Sequence, residues 1–539
     1  MTATLEAPAD AHPTPGDESA EPPQPLRGVP VALAPWHDPH PWLGWAITAA
    51  VTVLAAFTRF WALGWPHGKT FDEVYYVTES KELLRYGYED NRGYMFIVHP
   101  PLGKWLIALS SHFWHGPQHL DSYGWRIAPA LAGVLGVVVL TRTVRRMLRS
   151  NLFGGIAGAL FAMEGLSLVL SRTALLDIFL QFFVLAGFGA LVVDRDRVRA
   201  RLAALIADGA DLTDGAPSLG PRPWRLLAGA MFGAACAVKW TALSFFVLFV
   251  LLSLIWDRAA LRAAGVRRPT RAALRRSVGP AAGSLLATPI AVYLLSYLGW
   301  FYGENSWGRH WADSHSASTH LNLPFGLHPP FSWGWLPGPI RSLGAYTLDA
   351  YRFHEGLDSG HPYKSNPWSW FVLGRPVDFY YDGSSKSCGS STCAREVLLI
   401  GTPLLWWAFV PMLLWLAWHW ITTRDWRAGA VWVAFIAGWV VWFQDTKRTM
   451  FLFYMAPLVP FLIIGVTLGL GVMLGPALRR TGDRQRDRRA TVRRQWGIAG
   501  VCTYLGLVVA DFVWMWPIFT GGLLTYNQWH AHMWLPSWV

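Results

Sequence analysis

The chain has 539 residues, of which 53% are hydrophobic and only 15% are charged, and its mean hydropathy is positive at +0.27. Soluble globular domains carry about 25% charged residues, so this composition excludes an ordinary soluble enzyme and indicates a membrane protein. The formal net charge of +12 would suit a nucleic-acid-binding protein, but the basic residues stand in short clusters between hydrophobic runs, which argues against that partner.

Residues 1–35 contain many Pro and Ala residues, scattered acids and no apolar periodicity. Such a segment buries too little apolar surface to fold by itself, so we expect a disordered tail. It also lacks the positively charged start of a signal peptide. Residues 36–539 are expected to form one membrane-spanning domain.

A helix that crosses a bilayer needs about 20 predominantly apolar residues. Eleven such runs follow the tail, at 43–64, 123–141, 152–170, 176–193, 226–241, 242–256, 279–300, 396–420, 428–443, 450–475 and 497–519. The fold class expected is therefore an all-α polytopic membrane protein. The fifth and sixth runs are the weakest of the eleven, because Lys239 interrupts them.

The distribution of arginine predicts the topology. Alternating the sides of the eleven runs places the Arg-rich segments on one side: 142–150, 194–225, 257–278, 422–427 and 479–495. By the positive-inside rule this side is the cytoplasm, so the N-terminus lies inside and the C-terminus outside the cell membrane. Two long outer segments remain, 65–122 and 301–395. They contain nearly all the acids, histidines and lysines that could do chemistry, so we look for function at the outer face.

The first outer segment contains two motifs. In Phe71-Asp72-Glu73, Asp72 could simply cap a helix that begins at Glu73. In the later His99-Pro-Pro motif, the prolines could simply form a rigid turn that returns the chain to the bilayer. Residue types alone leave these structural interpretations open beside a functional one.

The four cysteines separate by location. Cys236 and Cys502 lie in apolar runs and indicate core packing. Cys388 and Cys393 lie in one outer loop, where a small disulfide ring and two free thiols are both open. No second Cys pair or close His pair completes a tetrahedral zinc site, and no other clear metal set is present.

Several motifs together resemble the protein O-mannosyltransferase family. They are Phe71-Asp72-Glu73 after the first span, His99-Pro-Pro-Leu-Gly-Lys104, Tyr123-Gly-Trp-Arg126 opening the second span, Ser171 to Asp177 at a short turn, and Arg375-Pro-Val with Tyr380-Tyr381. The resemblance covers nearly the whole chain beyond the tail. It implies a GT-C glycosyltransferase fold with about eleven spans and amphipathic helices in the outer loops. The segment 301–395 is too short for the MIR domain of eukaryotic members, and Ile97 stands where they often have Asp. Both departures resemble the actinobacterial branch.

The resemblance implies transfer of mannose from polyprenyl-phosphate-mannose to Ser or Thr hydroxyls of secreted or membrane polypeptides, with inversion. Asp72 in loop 65–122 is then the catalytic base, and Glu73 holds the acceptor or orients the loop. The segment 301–395 becomes an acceptor or lid region. No metal or cofactor beyond the lipid-linked donor is implied, and docking to a secretion channel is left open.

The donor phosphate needs positive charge, and Arg126, Lys239 and Arg172 are the first candidates for that role. Each has a structural alternative: Arg126 could be a snorkelling interfacial residue, and Arg172 could pair with Asp177. Lys239 lies in an apolar run, where an ionisable group usually has a partner or a function. Weaker candidates for the site are His99, Lys104, Asp177, Arg448 and Tyr454.

Two rival functions remain. Another GT-C transferase, such as one that moves aminoarabinose onto a lipid, also places an Asp-Glu pair after the first span. His99 and the Gly-Lys pair that ends at Lys104 favour the mannosyltransferase. A transporter or lipid flippase would predict internal repeats or paired broken helices, and no repeat is visible in the sequence.

Overall fold

The computed structural model describes residues 28–90, 98–116, 121–316, 333–358, 360–384, 387–444, 446–475 and 484–539. Helices dominate these residues, as the composition predicts. The helices are α1 Pro41–Phe60, α2 Glu73–Tyr86, α3 Leu102–His115, α4 Ser122–Leu148, α5 Asn151–Ala162, α6 Gly165–Ser171, α7 Asp177–Ala207, α8 Pro223–Cys236, α9 Ala242–Ala263, α10 Pro269–Ala282, α11 Thr288–Ser296, α12 Leu298–Tyr302, α13 Gly338–Glu355, α14 Pro367–Trp370, α15 Pro403–Trp407, α16 Phe409–Thr423, α17 Trp426–Gly438, α18 Val459–Leu474, α19 Arg484–Thr520 and α20 Tyr526–His532.

Within the described residues, nine helical stretches are long and apolar enough to cross a membrane. A tenth is added if α5 and α6, which meet at a bend of 62°, count as one span. The one remaining predicted run, the fifth at 226–241, coincides with α8, which has 14 residues and at 1.5 Å per residue is only about 21 Å long. Helix α8 ends at Cys236, and residues 237–241 form a turn that contains Lys239. This is the point at which the sequence-based prediction of spans was weakest.

The structure also contains a small antiparallel sheet, which the sequence analysis did not predict. Its strands are β1 Val377–Asp382, β2 Cys393–Leu399 and β3 Leu524–Thr525, in the order β1-β2-β3. The predicted span 396–420 therefore begins within β2, and its helical part starts only at Pro403. Apolar residues at 397–400 fit a buried strand as well as a buried helix, and periodicity over so short a run cannot separate the two.

The structure joins Cys388 and Cys393 in a disulfide, in the turn between β1 and β2. This is one of the two alternatives that the sequence left open. Cys236 and Cys502 are free, and Cys502 is exposed rather than packed in the core.

Of the predicted disordered tail at residues 1–35, residues 1–27 lie outside the described part of the chain. Its last part, residues 28–35, is packed against the helical domain instead. Leu33 is 1% exposed and belongs to a small apolar cluster with Val198 and Leu202 of α7. The expectation of disorder is therefore wrong for this part, because one leucine finds an apolar partner that only the folded chain provides.

Helices α2 and α3 lie in the first segment predicted outside the membrane, and α13 lies in the second. Helix α3 packs along α2 through a buried salt bridge, in which the Lys104 Nζ lies 2.7 Å from a Glu79 carboxylate oxygen. The start of α2, the start of α7, the break between α8 and α9, and the end of α13 surround one cavity. The candidate site is this cavity.

Candidate active site

The cavity has a volume of about 800 Å³ and is lined by aromatic and ionisable side chains. The ionisable residues named by the sequence analysis that line it are Asp72, His99, Asp177, Lys239, Arg448 and Tyr454. Glu79, His354 and Glu355 also line it and were not predicted. The remaining sequence-based candidates, Glu73, Lys104, Arg126 and Arg172, are buried outside this lining.

Asp72 stands at the N-cap position of α2, yet its side chain makes no capping hydrogen bond. Among the described contacts the carboxylate has no hydrogen-bond partner, so capping is not its function. The preceding Phe71 has a positive φ of 47°, and its ring is stacked on Phe379 at 4.9 Å. An L-residue in this conformation is strained, and the ring packing holds it there. Asp72 is thereby directed into the cavity.

Burial raises the pKa of the Asp72 carboxyl to about 6. Lys239 lowers this pKa, while Asp177 and Glu79 add to the rise. A carboxylate with this pKa is ionised at neutral pH and is still a stronger base than an ordinary aspartate. It is therefore suited to take a proton from a hydroxyl group.

Glu73 points away from the cavity and is fully buried. Its carboxylate accepts hydrogen bonds from Arg126 Nε and Nη2, each at 2.8 Å. The indole of Trp125 and the backbone N–H groups of Thr70 and Ala174 also donate to it. The Thr70 hydroxyl is a sixth donor, and a carboxylate with six donors has no capacity left for a peptide. Of its two predicted roles, orienting the loop agrees with this geometry and holding the acceptor does not.

Arg126 is fully buried beside Glu73 and does not line the cavity. Besides the Glu73 carboxylate, its guanidinium donates to the carbonyls of Leu63, Pro66 and Gly68, at 3.3, 2.9 and 3.2 Å. These partners occupy every donor group of the side chain. Arg126 thus holds the loop that leads into α2 and has no free N–H group for a phosphate.

Arg172 has a comparable structural role. It follows α6, and its guanidinium lies against the end of α1. Its guanidinium donates to the carbonyls of Thr58, Arg59, Trp61 and Ala62. The last carbonyls of a helix have no partner within the helix, so an arginine there satisfies them. The predicted pairing of Arg172 with Asp177 is not formed, since Asp177 binds Lys239.

Lys239 and Asp177 form an ion pair that lines the cavity. The Lys239 Nζ lies 2.7 Å from the Asp177 Oδ2, and the two side chains are 8% and 3% exposed. Lys239 lies in the turn between α8 and α9, and Asp177 is the first residue of α7. The cost of burying a lysine is offset by this pairing.

Arg448 is the cavity cation that lacks a carboxylate partner within the described part of the chain. Its Nη2 lies 3.4 Å from the Nδ1 of His354, and its Nε is buried without any hydrogen-bond partner. The guanidinium also lies 5.7 Å from the ring centre of Tyr454. A buried donor without a partner is costly, and a bound anion would satisfy it.

His354 is a functional candidate that the sequence analysis missed. Its Nε2 lies 3.0 Å from the Val98 carbonyl, and its ring is stacked on His99 at 4.8 Å. Burial and the charge of Arg448 lower the pKa of His354 to about 4, so the ring is neutral at pH 7. It donates to Val98 and presents a lone pair to Arg448. No motif marks it, because its role depends on residues about 90 and 260 positions away.

Two family models match this chain. One is described as dolichyl-phosphate-mannose-protein mannosyltransferase and matches residues 49–301. The other is described as the C-terminal four TMM region of protein-O-mannosyltransferase and matches residues 345–538. A polyprenol-phosphate-mannose–protein mannosyltransferase of Mycobacterium tuberculosis is 40% identical over 505 residues, which cover 92% of each chain. The chain belongs to the protein O-mannosyltransferase family.

The similarity to further members of the protein O-mannosyltransferase family supports this assignment. A relative of the same name from Mycolicibacterium smegmatis is 41% identical and covers 92% of this chain and 93% of its own. The Saccharomyces cerevisiae protein O-mannosyltransferase Pmt1-Pmt2 complex, solved with the sugar donor, superposes with a TM-score of 0.70 at 17% identity, covering 92% of each chain. This likeness confirms the GT-C fold that the motifs implied.

Lys104, the last residue of the His-Pro-Pro motif in this mannosyltransferase, lies behind the cavity. Its ammonium group is fully buried and forms ion pairs with Glu79 at 2.7 Å and Glu89 at 2.5 Å. Burial raises the pKa of Glu89 to about 7, although Lys104 opposes this rise. Lys104 therefore ties α3 to the cavity-lining face of α2, and it does not contact the cavity itself.

Among the described residues, no three His, Cys, Asp or Glu side chains are placed to hold a metal ion. The expectation that the reaction proceeds without a metal remains a prediction.

Proposed function

We propose that this chain transfers mannose from polyprenyl-phosphate-mannose to Ser and Thr hydroxyls of secreted or membrane polypeptides. The mycobacterial relatives are named as enzymes of this kind, and the matched regions cover more than nine tenths of their length. The observation that carries the proposal is Asp72, which lines a cavity together with Lys239 and Arg448. A base and positive charge are what this transfer requires, because a phosphodiester oxygen is a good leaving group and needs no general acid.

In the proposed reaction, Asp72 accepts the proton of the acceptor hydroxyl as its oxygen attacks the anomeric carbon of mannose. The bond between that carbon and the phosphate oxygen breaks, and polyprenyl phosphate leaves with the bonding electrons. Attack from the face opposite the phosphate inverts a β-linked donor into an α-mannosyl product. One carboxylate is sufficient here, whereas most glycosidases use two.

Arg448 and Lys239 are the proposed phosphate ligands. Arg448 is the stronger candidate, because it has a buried donor without a partner and no competing carboxylate among the described residues. Lys239 shares its charge with Asp177, and this ion pair fixes the position of the ammonium group. Arg126 and Arg172 are instead proposed to hold the loop and helix ends that shape the site, since backbone and carboxylate oxygens occupy them.

The proposed orientation places the cavity at the outer face of the cell membrane, with the N-terminus in the cytoplasm and the C-terminus outside. The positions of the Arg-rich segments support it. Polypeptides emerge at that face before they fold, so a secretion channel is a proposed partner.

The proposal is tested with the purified chain in liposomes, radiolabelled polyprenyl-phosphate-mannose and a Ser/Thr-rich peptide. We expect label in the peptide, in α linkage, and the same rate in the presence of EDTA. A matched peptide with Ala at every Ser and Thr should stay unlabelled. Label that appears in lipid instead of peptide would support the rival transferase, and loss of activity with EDTA would add a metal to the scheme.

A further inference from the structure

Four arginines come together at the far ends of α4 and α7 from the cavity. They are Arg146, Arg149, Arg195 and Arg199, which we call the α4–α7 arginine cluster. The carbonyls of Ala34 and Ala32 accept hydrogen bonds from Arg149 and Arg199 respectively, which places these two guanidinium groups side by side.

The cluster contains more positive charge than its described neighbours neutralise. Asp196 is shared between Arg195 at 2.8 Å and Arg146 at 3.3 Å. The adjacent Asp194 is held by Arg222, whose Nε lies 2.7 Å from its Oδ1, so it does not serve the cluster. Within the part of the chain that the structure describes, one carboxylate therefore faces four guanidinium groups.

Two donors of the cluster have no hydrogen-bond partner among the described residues. The Nε atoms of Arg195 and Arg199 are both buried and unsatisfied. The Arg195 side chain is only 9% exposed, and its guanidinium lies 3.7 Å from the ring centre of Trp426 and 5.8 Å from that of Trp256. Buried guanidinium groups with unused donors favour an anion that brings oxygen atoms to them.

The position of the cluster indicates where that anion comes from. Arg195 follows the cavity residue Asp177 by 18 residues on the continuous helix α7, a distance of about 27 Å at 1.5 Å per residue. The hydrocarbon core of a bilayer is about 30 Å thick. The cluster thus lies at the opposite membrane interface from the cavity, at the level of lipid headgroups and beside tryptophans typical of that level.

We propose that the α4–α7 arginine cluster binds the headgroup phosphate of an anionic phospholipid in the leaflet opposite the active site. Guanidinium forks bind phosphate oxygens in bidentate geometry, and basic pockets between spanning helices are suited to anionic headgroups. Because Arg149 and Arg199 also hold residues 32 and 34, the bound lipid stabilises the junction between the N-terminal segment and the helical domain.

Native mass spectrometry of the full chain, titrated with phosphatidylglycerol or phosphatidylcholine, tests the proposal. The wild type should bind the anionic lipid more tightly, and the Arg149→Gln/Arg199→Gln variant should lose about ten- to thirty-fold of that affinity. Arg195→Lys should lose less, since it keeps the charge and loses only the fork.

Two controls separate this result from general effects. Arg197→Gln removes the same charge at the same depth of α7, but from a side chain that lies over Trp224 instead of in the cluster. Leu33→Ala loosens the same N-terminal segment without changing charge. Both should keep the lipid preference. Equal binding of the two lipids by the wild type, an equal loss in Arg197→Gln, or displacement of the lipid by millimolar inorganic phosphate would overturn the proposal.

Discussion

At the scale of the residue, Asp72 is the group on which turnover should depend most. Asp72→Asn keeps the shape and removes the base, so we expect turnover to fall by about 10²–10⁴-fold with donor binding retained. The raised pKa of about 6 also sets the pH dependence. The base is ionised above this pKa and protonated below it, so the rate should fall as the pH drops through about 6.

Initial rates between pH 5 and 8, with donor binding measured separately, check both expectations. Glu355→Gln, a second cavity-lining acid at the end of α13, is the matched control for a lost carboxylate. Near-normal turnover of folded Asp72→Asn, or a rate that does not fall in acid, would contradict the assignment of Asp72 as base.

Arg448 should determine how well the donor phosphate is held. Arg448→Met removes a buried charged donor, and we expect kcat/KM for the donor to fall by roughly 10²–10³-fold. Arg448→Lys should keep part of the activity, because it retains the charge and loses the fork. Kinetics against donor concentration check this. The exposed Arg352→Met on α13 is the control, and its effect should be small. Equal curves for Arg448→Met and wild type would remove Arg448 from the phosphate site.

At the scale of the element, the pair of Glu73 and Arg126 joins the loop at residues 63–68 to the start of α2. Both side chains are fully buried, so removal of one partner leaves an uncompensated charge, at a cost of about 3–5 kcal/mol. We expect Arg126→Met and Glu73→Gln each to lower the melting temperature strongly. The double variant should be more stable than the sum of the two losses predicts.

Thermal unfolding of the three variants in detergent, set against wild type, measures this coupling. A phosphate ligand would behave differently: Arg126→Lys would raise KM for the donor while the melting temperature stayed unchanged. That outcome would return Arg126 to the donor site and contradict its role as a loop clamp.

At the scale of the whole molecule, the topology predicts which surfaces an impermeant reagent reaches. Ser314 and Ser218 are both exposed and lie in segments predicted on opposite sides of the membrane. With free Cys236 and Cys502 replaced and the disulfide retained, Ser314→Cys should react with an impermeant maleimide on intact cells. Ser218→Cys should react only after permeabilisation. Equal labelling on intact cells would refute the orientation.

The sequence by itself determined the fold class and the family, and it predicted Asp72 as the base. These depend on composition, on runs of about 20 apolar residues and on motifs contained within a few positions, all of which are local in the chain. A short motif and one lysine that interrupts an apolar run predicted Asp72 and Lys239 as site residues, and both line the cavity.

Only the tertiary structure decided which charged side chains contact each other. Arg126, Arg172, Lys239 and Arg448 are equally cationic in sequence, but the first two are occupied by loop and helix-end oxygens and the last two line the cavity. The strand at 393–399 and the role of His354 likewise depend on partners far along the chain. The physical reason is that a buried charge takes its role from the groups that folding brings within about 4 Å, and no local pattern records that choice.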